Sequence, residues 1–76
     1  MPINNKVKAF FILKDLTQEK IAEVTDTTQQ NVSLKTNKAQ WKLKDLLKIA
    51  DEVNCNIAFI DRDTKEPIMI FDENDL

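Results

Sequence analysis

No glycine occurs anywhere in the 76 residues. Glycine reaches a positive φ without steric cost, so helix ends, tight turns and phosphate-hugging loops all draw on it. A chain without it must close its turns with Asn, Asp, Thr or Pro, or with a neighbour forced into shape. It also cannot form a P-loop or a GxGxxG cradle. Length tightens the constraint. A chain of this size has room for one small domain and buries only about 60–65% of its unfolded surface. Such domains usually add a disulfide, a metal or a second subunit. The single cysteine, Cys55, excludes an intrachain disulfide. With no histidine, one thiol and scattered carboxylates do not make a zinc site. Dimerisation or a very compact core remains.

Hydrophobic residues make up 42% of the chain and charged residues 32%, the balance of a folded, soluble protein rather than a disordered one. The longest apolar run, Ala9 to Leu13, is far too short to cross a membrane. The opening Met-Pro-Ile-Asn-Asn lacks the basic-then-apolar layout of a signal peptide, so a cytoplasmic, reducing location is expected. The net charge of −2 conceals two opposed halves. Residues 1–50 hold nine lysines against five acids, and residues 51–76 two basic residues against eight acids. This split points to a basic working face followed by an acidic appendage.

Val7, Phe10, Phe11 and Lys14 fall at helical spacing, which predicts a helix over 4–14. Thr17 can cap a second helix that buries Ile21 and Ala22 and ends near Thr25. After a turn at Asp26-Thr27, Thr28 can cap a third helix from Gln29 to about Thr36, anchored by Val32. Leu43, Leu46, Leu47, Ile49, Ala50 and Val53 carry the strongest helical period, over 43–54. The pattern then becomes extended. Ile57 to Asp61 and Pro67 to Phe71 are β-rich runs joined by a polar connector, which reads as a hairpin. Both strands are apolar on both faces, and a lone hairpin is marginal. Residues 72–76 form an acidic tail expected to fray.

Residues 16–33 carry the functional signal. Two short helices are separated by a tight turn, with small Ala22 in the first and polar Gln29, Gln30, Asn31 and Ser33 on the second. A small residue lets the second helix cross closely over the first, and amide side chains can reach base edges. Gln and Asn bond adenine bidentately through N6 and N7. Lys35, Lys38, Lys42 and Lys44 follow as candidate phosphate contacts.

In these residues the chain resembles the Cro/repressor-type, xenobiotic-response-element-like helix-turn-helix family. The matching blocks are Leu16 to Glu19, Ile21 to Glu23, Thr28-Gln29, Val32-Ser33 and Leu46 to Ala50. Thr27-Thr28-Gln29-Gln30 is similar to the start of the recognition helix in lambdoid phage repressors. The resemblance implies a mostly α fold: a four-helix, lambda-repressor-like core over 1–55, followed by a β-hairpin at 56–71. It implies that Gln18 bonds a phosphate, that Thr28, Gln29, Gln30, Asn31 and Ser33 face the major groove of double-stranded DNA, and that Lys35, Asn37, Lys38 and Gln40 track its backbone. The hairpin's Ile57, Phe59, Ile60, Ile68, Met69, Ile70 and Phe71 are then the expected homodimer contact.

The chain departs from that family at named positions. Aspartate stands at Asp15 and Asp26 where glycine is usual, and Thr25 and Thr27 stand where apolar residues are usual, which is expected to loosen the core. Leu34 replaces a frequent basic residue. Trp41 reads as a core or lid aromatic and Cys55 as a buried or half-buried residue. Ile12 and Leu13 extend the apolar face of the first helix, as wider core contact or as a partner-binding patch. No catalytic residue, cofactor or metal is expected: a nucleophile lacks a histidine base, and turn carboxylates such as Asp61 and Asp63 lack the burial that raises a pKa. Two functions follow. One is a dimeric DNA-binding transcriptional regulator, repressor-like and encoded by a phage or mobile element. The other is a protein-interaction module on the same scaffold, directed at a host factor or a toxin.

Overall fold

The computed structural model describes residues 2–76. It contains four helices, α1 (Ile3–Leu13), α2 (Gln18–Val24), α3 (Gln29–Asn37) and α4 (Leu43–Glu52), then an antiparallel hairpin, β1 (Ile57–Ile60) and β2 (Pro67–Phe71). The chain is mostly α with a C-terminal β-hairpin, as the sequence implied. Thr17 and Thr28 cap α2 and α3, their hydroxyls accepting from the backbone N–H of Lys20 and Asn31 at 3.1 Å each. Each satisfies one of the amides a helix start leaves unpaired.

All four helices end in the same way. The N–H of Leu16 donates to Phe11 O, Thr27 to Ala22 O, Gln40 to Lys35 O and Cys55 to Ala50 O, at 2.8–2.9 Å. Each bond spans five residues and requires the residue before the donor to be left-handed. That residue is Asp15 (φ 55°), Asp26 (φ 54°), Ala39 (φ 52°) and Asn54 (φ 57°). Glycine would take these positions without strain. Aspartate and asparagine enter this region more readily than other residues that carry a Cβ, a tolerance that alanine lacks.

The described residues fall into two compact units, one ending at Lys42 and one from Leu43 to Leu76. In the first, α2 packs on α3 and α1 on α3. Phe11, Ile21, Ala22 and Val32 are buried. Thr25 does not loosen this core. It is buried, and its hydroxyl donates to Ile21 O at 2.7 Å, so no polar atom is stranded. Thr36 is buried in the same manner: its hydroxyl donates to Val32 O at 2.8 Å and accepts from Trp41 Nε1 at 3.1 Å. Half-buried Trp41 meets Phe11 edge-on, ring centroids 6.4 Å apart. Ile12 and Leu13 do not widen the core: they are 77% and 78% exposed.

In the second unit, Leu47, Ile49 and Ala50 of α4 are buried. The hairpin pairs Ile57 with Phe71, Ala58 with Ile70, Phe59 with Met69 and Ile60 with Pro67. Ile68 is therefore an extra residue on β2, a bulge beside the turn. Side chains alternate, so Phe59 and Met69 share one face with Phe71, whose ring lies 5.9 Å from that of Phe59, while Ile60 and Ile70 lie on the other. Exposed apolar residues stand on both faces. In the tail, Glu73–Asp75 forms one exposed 3-10 turn, capped reciprocally by Asp72 and Asp75.

The hairpin turn rests on Asp61. Its Oδ1 accepts from the N–H of Asp63 at 2.8 Å and of Thr64 at 3.0 Å, while Lys65 takes a left-handed φ of 64°. The amides of Thr64 and then Asp63 hold the carboxyl below its ordinary 3.8. A carboxyl depressed on folding stabilises the folded state above its unfolded value, and that contribution disappears as pH falls through the lower, folded value. The hairpin should hold its turn at pH 5 and loosen below about 3.8 as Asp61 takes up a proton. A carbon NMR titration of the Asp61 carboxyl tests this; a midpoint at or above the ordinary value contradicts it.

Candidate nucleic-acid interface

Helix α3 carries the candidate contacts, and its geometry sorts them. At 100° per residue, Val32 and Thr36 lie on one side and Gln30, Leu34 and Asn37 on the opposite side. Burial agrees: the first two are buried and the other three exposed. Gln29 and Asn31 are exposed in the first turn, and Ser33 and Lys35 stand half-buried at the flanks. Thr28 serves as the N-cap, which commits its hydroxyl to the Asn31 amide. The Asn31 side chain is also engaged, Nδ2 donating to Thr27 Oγ1 at 3.1 Å, so its orientation is preset.

A shallow groove of about 210 Å³ lies where α1, α2 and α3 meet. Gln18, Ser33 and Asn37 line it, three residues from separate stretches of the candidate set. Asn37 Nδ2 donates to Ser33 Oγ at a long 3.5 Å. Lys8 of α1 joins them at the groove. Sequence reading gave Lys8 no role; the available signal was its place three and four residues before Phe11 and Ile12, which line the same groove.

The lysines behave differently from one another. Lys35 Nζ lies 5.3 Å from the centre of the Trp41 ring, a cation–π contact that draws it toward that ring. Lys38 and Lys42 are exposed, as is Gln40. From Thr27 to Lys44 there are four lysines and no acid. Asp26 remains exposed next to this stretch. The candidate dimer residues show a common pattern: Phe59, Ile60, Ile68, Met69 and Ile70 are exposed, while Ile57 and Phe71 are half-buried.

No family model, curated protein or solved structure matches this chain. Among the described residues there is no cluster of His, Cys, Asp or Glu able to hold a metal ion, and no helix long and apolar enough to cross a membrane.

Proposed function

We propose that this chain is a small cytoplasmic DNA-binding regulator of the helix-turn-helix, Cro/repressor type, acting as a homodimer on a pseudo-palindromic site. The observation that carries the reading is α3 itself: an acid-free helix whose outward side presents Gln30, Leu34 and Asn37, with Gln18, Ser33 and Lys8 at the adjoining groove. Amides of this kind are the side chains that bond adenine in the major groove, and the lysines after α3 suit the phosphates on either side. The doubly apolar hairpin supplies the self-association that two half-sites about 34 Å apart require.

Electrophoretic mobility shifts over a salt series test the reading. Retardation at low salt should weaken steeply as salt rises, since each neutralised phosphate adds about 0.9 to the logarithmic slope. Gln30→Ala should cost about 1–3 kcal/mol of specific affinity, roughly 5- to 150-fold, because a bidentate base contact is worth that much. Absence of binding to any duplex at low salt ends the proposal.

A second reading keeps one specific observation. Ile12 and Leu13 project together at the end of α1, 77% and 78% exposed, where they contribute nothing to the buried core. A protein-interaction module would use such a tip against a host protein or a toxin. Leu13→Asp, outside the groove that Lys8, Gln18 and Ser33 share, leaves DNA retardation intact if the first reading holds and abolishes a nuclease-resistant protein complex if the second does.

A further inference from the structure

The centre of α3's outward side is occupied by an apolar residue. Gln30 and Leu34 are one turn apart, Asn37 follows nearly one turn later, and Leu34 stands diametrically opposite the buried Val32–Thr36 side. Leu34 is 50% exposed. A leucine there offers no hydrogen bond to guanine, cytosine or a phosphate. In the major groove one apolar feature distinguishes a base pair, the C5-methyl group of thymine.

We infer that Leu34 is a base-reading residue that packs on a thymine C5-methyl, beside an adenine held by Gln30; the inference rests on the DNA-binding reading above. The spacing suits it. Side chains at i and i+4 lie about 5–6 Å apart, and stacked bases rise about 3.4 Å, so the two residues address bases one or two steps apart. The rest of the outward side agrees. It carries amides and no arginine, the usual partner of guanine, and no carboxylate, the acceptor for cytosine N4. The one lysine of α3, Lys35, sits over Trp41. The chemistry presented is that of A·T pairs. Within the first unit, Lys35, Lys38 and Lys42, with no acid from Thr27 to Lys42, match a polyanion as its partner.

The full chain is used to select duplexes from a randomised pool, and the enriched duplex is resynthesised with each thymine in turn replaced by deoxyuridine. That exchange removes one methyl group and leaves every hydrogen bond intact. The expected result is an A·T-rich half-site in which one replacement weakens binding about fourfold, the worth of one buried carbon. Leu34→Ala should bind the thymine duplex more weakly and lose its response to that replacement, and Leu34→Met should keep it. Leu34→Gln should shift selection at that position away from thymine. Thermal melting of each variant verifies folding, which an exposed position leaves intact. A G·C pair selected at that position, a duplex indifferent to every deoxyuridine, or the same sensitivity retained in Leu34→Ala overturns the inference while leaving DNA binding in place. Enrichment of no duplex overturns both.

Discussion

Ile21→Ala costs about 3 kcal/mol and lowers the melting temperature by roughly 12–24 °C. Ile21 is 1% exposed, and its carbonyl also accepts the buried Thr25 hydroxyl. Truncation removes the packing of three carbons and leaves a void whose size sets the rest of the cost. The groove where α1, α2 and α3 meet already borders Ile21, so the void opens toward it instead of being sealed. That places the cost near the middle of the about 2–5 kcal/mol span for such changes. A chain of this length holds a net stability of roughly 4–11 kcal/mol, so this one side chain carries a large share of it. Ile21→Val should cost only about 1 kcal/mol, since one methyl is lost. Circular dichroism melting of the pair reads both. A fall below about 5 °C for the alanine variant would show that the residue's burial does not carry the first unit.

The opposite change in stability is expected from adding glycine. The triple variant Asp15→Gly, Asp26→Gly, Ala39→Gly should gain about 1–2 kcal/mol and melt roughly 4–16 °C higher. Each position is left-handed, with φ between 52° and 55°. An L-residue with a Cβ pays about 1–2 kcal/mol there, and glycine returns about 0.4–1 kcal/mol of that through its freer unfolded chain. Ala39 should give the largest single gain, about 1 kcal/mol, because alanine lacks the tolerance of the left-handed region that aspartate has. Lys38→Gly is the control. Its φ is −94°, which any residue adopts, so glycine there should lower stability. A triple variant that melts at or below the parent temperature would mean that the left-handed helix ends are not strained.

The helices were legible because capping threonines and apolar spacing agreed at α2 and α3, and because α4 repeats its apolar residues so regularly. The turns at Asp15 and Asp26 were legible too, since aspartate stood at both where glycine is usual. Ala39 was not: alanine gives no turn signal, and its conformation follows from the bond between Gln40 and Lys35 that closes α3. The bulge at Ile68 was hidden for another reason. With apolar residues on both faces, nothing in the strand pattern distinguishes one register from its neighbour. Thr25 misled, because its hydroxyl finds an acceptor on its own helix, a partner that reading by residue type overlooks. At the candidate interface, spacing within α3 picked out Val32 as the inward anchor but not the buried Thr36 one turn on. It could not bring Lys8 to Gln18 and Ser33, which takes the packing of three helices, nor foresee Trp41 drawing Lys35 over its ring.

The left-handed helix ends also bear on how this chain can change by mutation. In the genetic code, aspartate and alanine codons differ from glycine codons at the middle base alone, whereas asparagine and lysine codons differ at two. Asp15, Asp26 and Ala39 are therefore each one point mutation from the residue their backbone prefers, and Asn54 and Lys65 are two. A population grown under heat would reach relief at the first three sites in single steps. The strain in these helix ends is thus a reserve of stability within immediate mutational reach.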